Sequence, residues 1–225
     1  MKSFKIFALV MVISFTLSSC GVTVYSDKDN ISKKIEVNEE FTAIETLGTT
    51  DVEYKPGSPS IVLYAPKEEM DDIIVFVKDG KLIVKSKKEV KNKRYESKLK
   101  VSYPNVTTFI TKGTGDIDIE GTNCVKLTLS SFGTGDIVCG NSRCTILEAA
   151  TKGTGDIVVH NMDCENASLE SRGTGDIEVN DMLADNIIAN TFGTGDITIS
   201  GECKNVSKTI KGVGSINTKG LKVKK

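Results

Sequence analysis

The chain has 225 residues, 29 Lys and Arg against 30 Asp and Glu, and a net charge of −1, so it lacks the basic surplus with which nucleic-acid binders gather phosphates. A single histidine, His160, excludes sites built on two imidazoles, such as His-rich zinc centres and His-pair relays. With no tryptophan, 6% aromatic residues, 4 prolines and 20 glycines, the composition is that of a turn-rich β protein without large aromatic pockets.

At the N-terminus, Lys2 and Lys5 precede an apolar stretch from Ile6 to Phe15 broken only by Ser14, the length of a signal-peptide core and too short to span a bilayer as a helix. Leu17-Ser18-Ser19-Cys20-Gly21 then resembles the lipobox of bacterial lipoproteins, in which cleavage leaves the cysteine as the lipid-bearing N-terminus. Residues 1–19 are therefore expected to be a signal peptide and Cys20 the lipidation site, giving a lipid-anchored protein of the bacterial envelope. An outer-membrane lipoprotein is expected, with the surface and periplasmic faces both open. Residues 20–34 are polar around Ser26-Asp27-Lys28-Asp29-Asn30 and read as a flexible tether.

Beyond the tether, Ile61–Ala65, Ile73–Val77 and Lys81–Lys85 have strand composition, and Lys78-Asp79-Gly80 is a tight-turn signal between the last two. Pro66 to Asp72 is read as a single helical turn or a loop. The run from Lys85 to Lys100 contains Lys87, Lys88, Lys91, Lys93, Arg94, Lys98 and Lys100, a candidate anion-binding patch or a solvated edge.

The C-terminal half carries an internal repeat. Gly-Thr-Gly-Asp-Ile begins at Gly113, Gly133, Gly153, Gly173 and Gly193, always 20 residues apart, followed by Gly-Val-Gly-Ser-Ile at Gly212 and preceded by a weaker copy at Gly48. Such a period is the signature of a solenoid. Aligned on the motif, Ile117, Ile137, Ile157, Ile177 and Ile197 are followed two positions later by Ile119, Cys139, Val159, Val179 and Ile199, the alternation of a strand with one buried face. A second apolar line runs through Leu127, Leu147, Ala167, Ile187 and Val206, accompanied by Leu129, Ala149, Leu169 and Ala189, so large and small residues interleave. The expected fold is all-β: a parallel β-helix of about 20 residues per coil, with like residues stacked at i and i+20. One domain spans 35–225, irregular over 35–104 and regular over 105–225; the lysines of Leu221–Lys225 suit a blunted sheet edge.

Several stacked positions bear on function. Asp116, Asp136, Asp156, Asp176 and Asp196 form a carboxylate ladder, for which three roles are open: turn capping with glycine supplying positive-φ corners, binding of calcium or another cation, or ligand recognition. Lys112, Phe132, Lys152, Arg172 and Phe192 stand just before the glycine pairs, where the bases offset some of the carboxylate repulsion and the line offers a surface for a glycan or for an envelope or host protein. Cys124, Cys144 and Cys164 share one position that continues through Ala184 to Cys203 after a one-residue deletion; buried thiols are expected, with a disulfide between adjacent rungs as the alternative. No metal site is assigned.

The lipobox, the strand pair around Val77-Lys78-Asp79-Gly80-Lys81-Leu82-Ile83-Val84 and the repeated Gly-Thr-Gly-Asp-Ile together resemble the bacterial auto-transporter adhesin family with a head GIN domain, over about Ile35 to Lys225. The resemblance implies a right-handed parallel β-helix and supplies no catalytic residues. Identical carboxylates on every coil give no asymmetry to raise one pKa and lower another, so an enzyme of the β-helical glycan-cleaving kind is not expected. The expected role is adhesin-like binding or scaffolding without catalysis, with a periplasm-facing partner-binding lipoprotein as the alternative.

Overall fold

The computed structural model describes residues 30–87 and 97–224; Cys20, the signal segment, and Lys88, Lys91, Lys93 and Arg94 of the basic run lie outside the described residues. The described chain is all-β, a β-solenoid of about six turns with about 20 residues per coil and no helix. Its N-terminal strands are β1 (Asn30–Lys34), β2 (Ala43–Thr46), β3 (Asp51–Lys55), β4 (Ser60–Pro66), β5 (Ile73–Lys78), β6 (Lys81–Ser86) and β7 (Lys98–Ser102). The regular region continues with β8 (Thr108–Thr111), β9 (Ile117–Ile119), β10 (Thr122–Ser131), β11 (Ile137–Cys139), β12 (Ser142–Thr151), β13 (Ile157–His160), β14 (Met162–Ser171), β15 (Ile177–Thr191), β16 (Ile197–Ile210) and β17 (Ile216–Val223).

In the regular region each coil hydrogen-bonds in parallel to the coils on either side. Cys124, Cys144 and Cys164 are register partners in sequence, as are Leu127, Leu147 and Ala167. The one-residue deletion falls at the corner between Val179 and Met182, after which Ala184 pairs with Cys203 and Ile187 with Val206. Ile117, Leu127, Ile137, Leu147, Ile157 and Leu169 are fully buried along the axis. Within strand β10 the in-out alternation lapses once, at Val125 and Lys126, two consecutive outward residues that divide the ten-residue strand into two runs. His160 is exposed at another corner, just before Asn161 at φ 51°.

The N-terminal region stacks in an order that differs from its order in sequence. The coil containing Gly48, formed by β2 and β3, has β8 and β9 on one side and β6 and β7 on the other, all parallel. Strand β5 runs antiparallel to β6 through a two-residue turn with Asp79 and Gly80 both at positive φ, the backbone that suits a right-twisted hairpin. Strand β4 runs antiparallel to β7, so the solenoid is flanked at this end by antiparallel pairing rather than by another regular coil. Met70 N–H donates to the Pro66 carbonyl at 3.0 Å, which makes Pro66–Asp72 a single turn.

Residues 30–34, expected to lie in the tether, instead form β1 and pair antiparallel with β4 from Asn30↔Pro66 to Lys34↔Val62. Their polarity is no obstacle, because the pairing uses backbone groups; Ile31 packs against the core and the small Ser32 is the buried residue of the strand.

Candidate functional site

The Gly-Thr-Gly-Asp corner is the most repeated piece of local chemistry in the chain. Its glycines are not positive-φ residues: only Gly80 and Gly201 among the described glycines have that conformation. They are required by proximity, since a Cβ on Gly133, Gly153, Gly173 or Gly193 would stand 2.0–2.1 Å from the carbonyl oxygen of the equivalent glycine in the neighbouring coil. That close approach lets two successive N–H groups share one oxygen, as Thr134 and Gly135 do with Gly113 at 3.0 and 3.2 Å.

Each aspartate then links one coil to the next. The backbone N–H of Asp116 donates to Asp51 Oδ1, and the same bond repeats through Asp136, Asp156, Asp176 and Asp196 to Ser215, six bonds of 2.6–3.0 Å in one line. This is the capping role, with the cap reaching across coils instead of back into its own turn. Burial, together with the charges of Asp116 and Asp156, pushes the Asp136 carboxyl above its ordinary value, although the Asp156 N–H works against the shift. Among the described residues no group of three or more His, Cys, Asp or Glu side chains is arranged to hold a metal ion.

The threonines inside the motif, such as Thr114 and Thr134, are exposed; the capping hydroxyls come from buried residues two positions before the first glycine. Ser131, Thr151, Ser171 and Thr191 each donate to the carbonyl of the glycine four residues on, at 2.9–3.1 Å. Sequence reasoning passed over this hydroxyl ladder, although its strict alternation of Thr and Ser at one repeat position was visible.

Lys112, Phe132, Lys152, Arg172 and Phe192 do line up along this corner, but their charges are engaged away from the aspartates. Lys112 donates to Glu45 at 2.9 Å and Arg172 to Glu170 at 2.6 Å. Lys152 lies 5.2 Å from the Phe132 ring centroid, and Phe192 is flanked by Arg172 at 4.4 Å and Lys211 at 5.7 Å. The partners found for these bases are thus neighbouring rings and glutamates. Phe132 is 45% exposed, so some of this line still faces solvent.

The described cysteines, Cys124, Cys139, Cys144, Cys164 and Cys203, are free thiols. Burial pushes Cys139 up to about 11, which keeps it protonated and unreactive at neutral pH.

A second feature lies beside the antiparallel end. Strand β4 rises next to the outward face of β7, β3, β9 and β11 and forms a cleft of about 630 Å³. Across its floor Lys100, Glu53, Asp118 and Val138 are successive register partners, and β4 contributes Val62 and Tyr64. Glu53 is held by Lys98 and by Lys100, the latter at 3.3 Å. Burial tends to raise the Glu53 carboxyl, but hydrogen bonds from these two lysines outweigh it and hold the group below its ordinary value. Asp118 moves the other way, raised by burial and by the neighbouring Glu53. Lys100 also stands 5.5 Å from the Tyr64 ring centroid. Of the basic run, Lys98 and Lys100 thus serve this cleft. Nothing in the local sequence announces it, because it depends on β3 and β9 becoming neighbours across 65 residues.

The family described as "Putative auto-transporter adhesin, head GIN domain" matches residues 40–225. A structure described as that of a "putative adhesin" from Bacteroides fragilis NCTC 9343 superposes with a TM-score of 0.70 at 25% identity, covering 85% of this chain and 97% of that one. A "putative lipid binding protein" from Parabacteroides distasonis ATCC 8503 is similar in fold, with a TM-score of 0.66 at 21% identity and coverage of 85% and 97%. A "putative adhesin" from the same Parabacteroides strain gives 0.55 at 18%, covering 85% of this chain and 98% of that one. No curated protein matches the chain.

Proposed function

The chain belongs to the auto-transporter adhesin, head GIN domain, family, and from that membership we propose that it is an adhesin-like, non-catalytic binding protein held at the bacterial cell envelope by a lipid on Cys20. The observation that carries the reading is the family match over residues 40–225, supported by the adhesin-like solved structure from Bacteroides fragilis. The corner chemistry agrees with it. Every ladder carboxylate from Asp116 to Asp196 accepts a backbone N–H, the same structural task on each coil.

The geometry suits presentation. From the antiparallel end to β17 the coils stack over roughly 35 Å at about 4.8 Å per coil. Two outward surfaces are available to a ligand on the described residues, the corner line from Lys112 to Phe192 and the cleft beside β4. The partner on this reading is a glycan or an envelope or host protein, and the membrane is met only through the lipid.

Two measurements test the proposal. A fatty-acid label should enter the wild-type protein and not Cys20→Ala; equal labelling of both removes the anchor. External protease on intact cells should destroy a C-terminal tag while a periplasmic control survives, as a surface-exposed adhesin requires. Survival of both proteins, with cleavage only after lysis, would overturn surface adhesion and leave a periplasm-facing partner-binding lipoprotein.

A further inference from the structure

The cleft beside β4 carries chemistry that the repeat does not need. The corner ladders explain how coil follows coil, yet Tyr64, Lys100, Glu53 and Asp118 come from four different strands and meet only here. At about 630 Å³ the space matches a small ligand or a few residues of a chain molecule. Its lining is mildly acidic: Glu53, Asp118 and Glu120 face Lys55 and Lys100, and Lys98 pairs with Glu53.

The backbone beneath the cleft offers nothing to a ligand. Strand β3 is paired on both sides by β7 and β9, β9 by β3 and β11, and β4 by β1 and β7. A peptide that binds by adding a strand needs an open edge, so that mode is closed in this cleft. What remains is a set of side chains: carboxylates that accept, an ammonium group that donates, a half-buried aromatic ring, and the apolar Val62 and Val138 in the same lining. A ligand that carries many hydroxyls on a ring with apolar C–H faces uses all of these together. A strongly acidic ligand does not, because Glu53 and Asp118 are adjacent in the floor and the lining carries more carboxylates than ammonium groups.

We propose that this cleft is a binding subsite for a neutral saccharide, with Asp118 and Glu53 accepting hydrogen bonds from sugar hydroxyls, Lys100 donating to a sugar oxygen, and Tyr64 packing against the ring's C–H face. The proposal rests on the adhesin-like reading, and it names the ligand class and moves the contact from the corner line to the cleft. The raised Asp118 carboxyl is consistent with a group partly withdrawn from water at the place where the ligand would sit.

The test uses the full-length protein in detergent on an array of neutral and acidic oligosaccharides, followed by titration of the tightest neutral binder. Tyr64→Ala and Asp118→Asn should each weaken that glycan at least tenfold, while Val213→Ala, 88% exposed in the last coils, keeps wild-type affinity. Asp118→Asn keeps the shape of the side chain, and a thermal midpoint within a few degrees of wild type separates lost binding from lost folding. The proposal is overturned if no neutral glycan binds, if only acidic glycans do, if a peptide ligand displaces the sugar through the same residues with higher affinity, or if binding survives both substitutions.

Adhesion of whole cells to a surface coated with the same glycan separates this proposal from its premise. Cells carrying both substitutions that adhere like wild type keep the adhesin and remove the cleft. Wild-type cells that do not adhere, while the purified protein binds through Tyr64 and Asp118, keep the cleft and remove the adhesin.

Discussion

Glu45 is 4% exposed, yet it carries two ion pairs, accepting from Lys112 at 2.9 Å and Lys81 at 3.2 Å. Burial alone would raise its carboxyl, but the two lysines outweigh burial and hold it below the ordinary value of 4.5. A carboxyl depressed in the folded state binds fewer protons there than in the unfolded chain. Its stabilisation is therefore complete above the unfolded value and is lost as pH falls through the folded one. Glu45→Gln should lower stability at pH 7 by about 1–2 kcal/mol, the scale of a charge-assisted hydrogen bond, and should flatten the fall of the thermal midpoint below pH 5. Parallel acid limbs in wild type and variant would show that the two pairs contribute nothing. Asp136 differs: burial and the charges of Asp116 and Asp156 raise its carboxyl, so its ionisation opposes folding as pH rises.

Elements meet at the corners, and there the limiting quantity is space. A Cβ on Gly153 would lie 2.1 Å from the Gly133 carbonyl oxygen and 2.8 Å from Phe132 backbone atoms, and no side-chain rotation relieves a clash with backbone. Gly153→Ala should therefore push neighbouring coils apart locally and destabilise by about 3 kcal/mol, at the upper end of overpacking substitutions, read as a shift in the urea midpoint. A loss below about 0.5 kcal/mol would mean that the corner opens freely and that close approach does not set the glycine requirement. The hydroxyl ladder belongs to the same junction: Ser131, Thr151 and Ser171 close each strand end onto the next turn, so the strands β10, β12 and β14 stop at equivalent residues.

For the molecule as a whole, stability should grade along the axis, because each coil is supported by its two neighbours. The central coils hold Leu127, Leu147, Ile157 and Leu169 fully buried, and the antiparallel strands β4 and β5 flank the first coils. In the last described coils Ile210, Val213 and Val223 are 53%, 88% and 53% exposed. Amide hydrogen exchange should be slowest in β12 and β14 and fastest in β17, where local opening exposes the least apolar surface. Uniform protection along the axis would instead indicate a single cooperative unit.

The period of 20 was enough to read the solenoid, the Ile and Leu ladders, the cysteine line and the deletion before Cys203, because in a repeat the spatial neighbour of each residue is its own equivalent. The weak copy at Gly48 was legible as a related unit, and the structure stacks it on Gly113, with Asp51 supplying the first rung of the carboxylate ladder. The same periodicity says nothing where the chain leaves the repeat. That β6 and β7 pack outside β2 and β3, that residues 30–34 form a strand, and that Tyr64, Lys100, Glu53 and Asp118 share a cleft all follow from pairings across non-equivalent segments, which backbone hydrogen bonding permits in many registers and only packing selects. The glycines mark the difference most clearly: their positions were plain in the chain, but the reason for them is a carbonyl oxygen 20 residues away that only the stacked coils bring within 2.1 Å of where a Cβ would be.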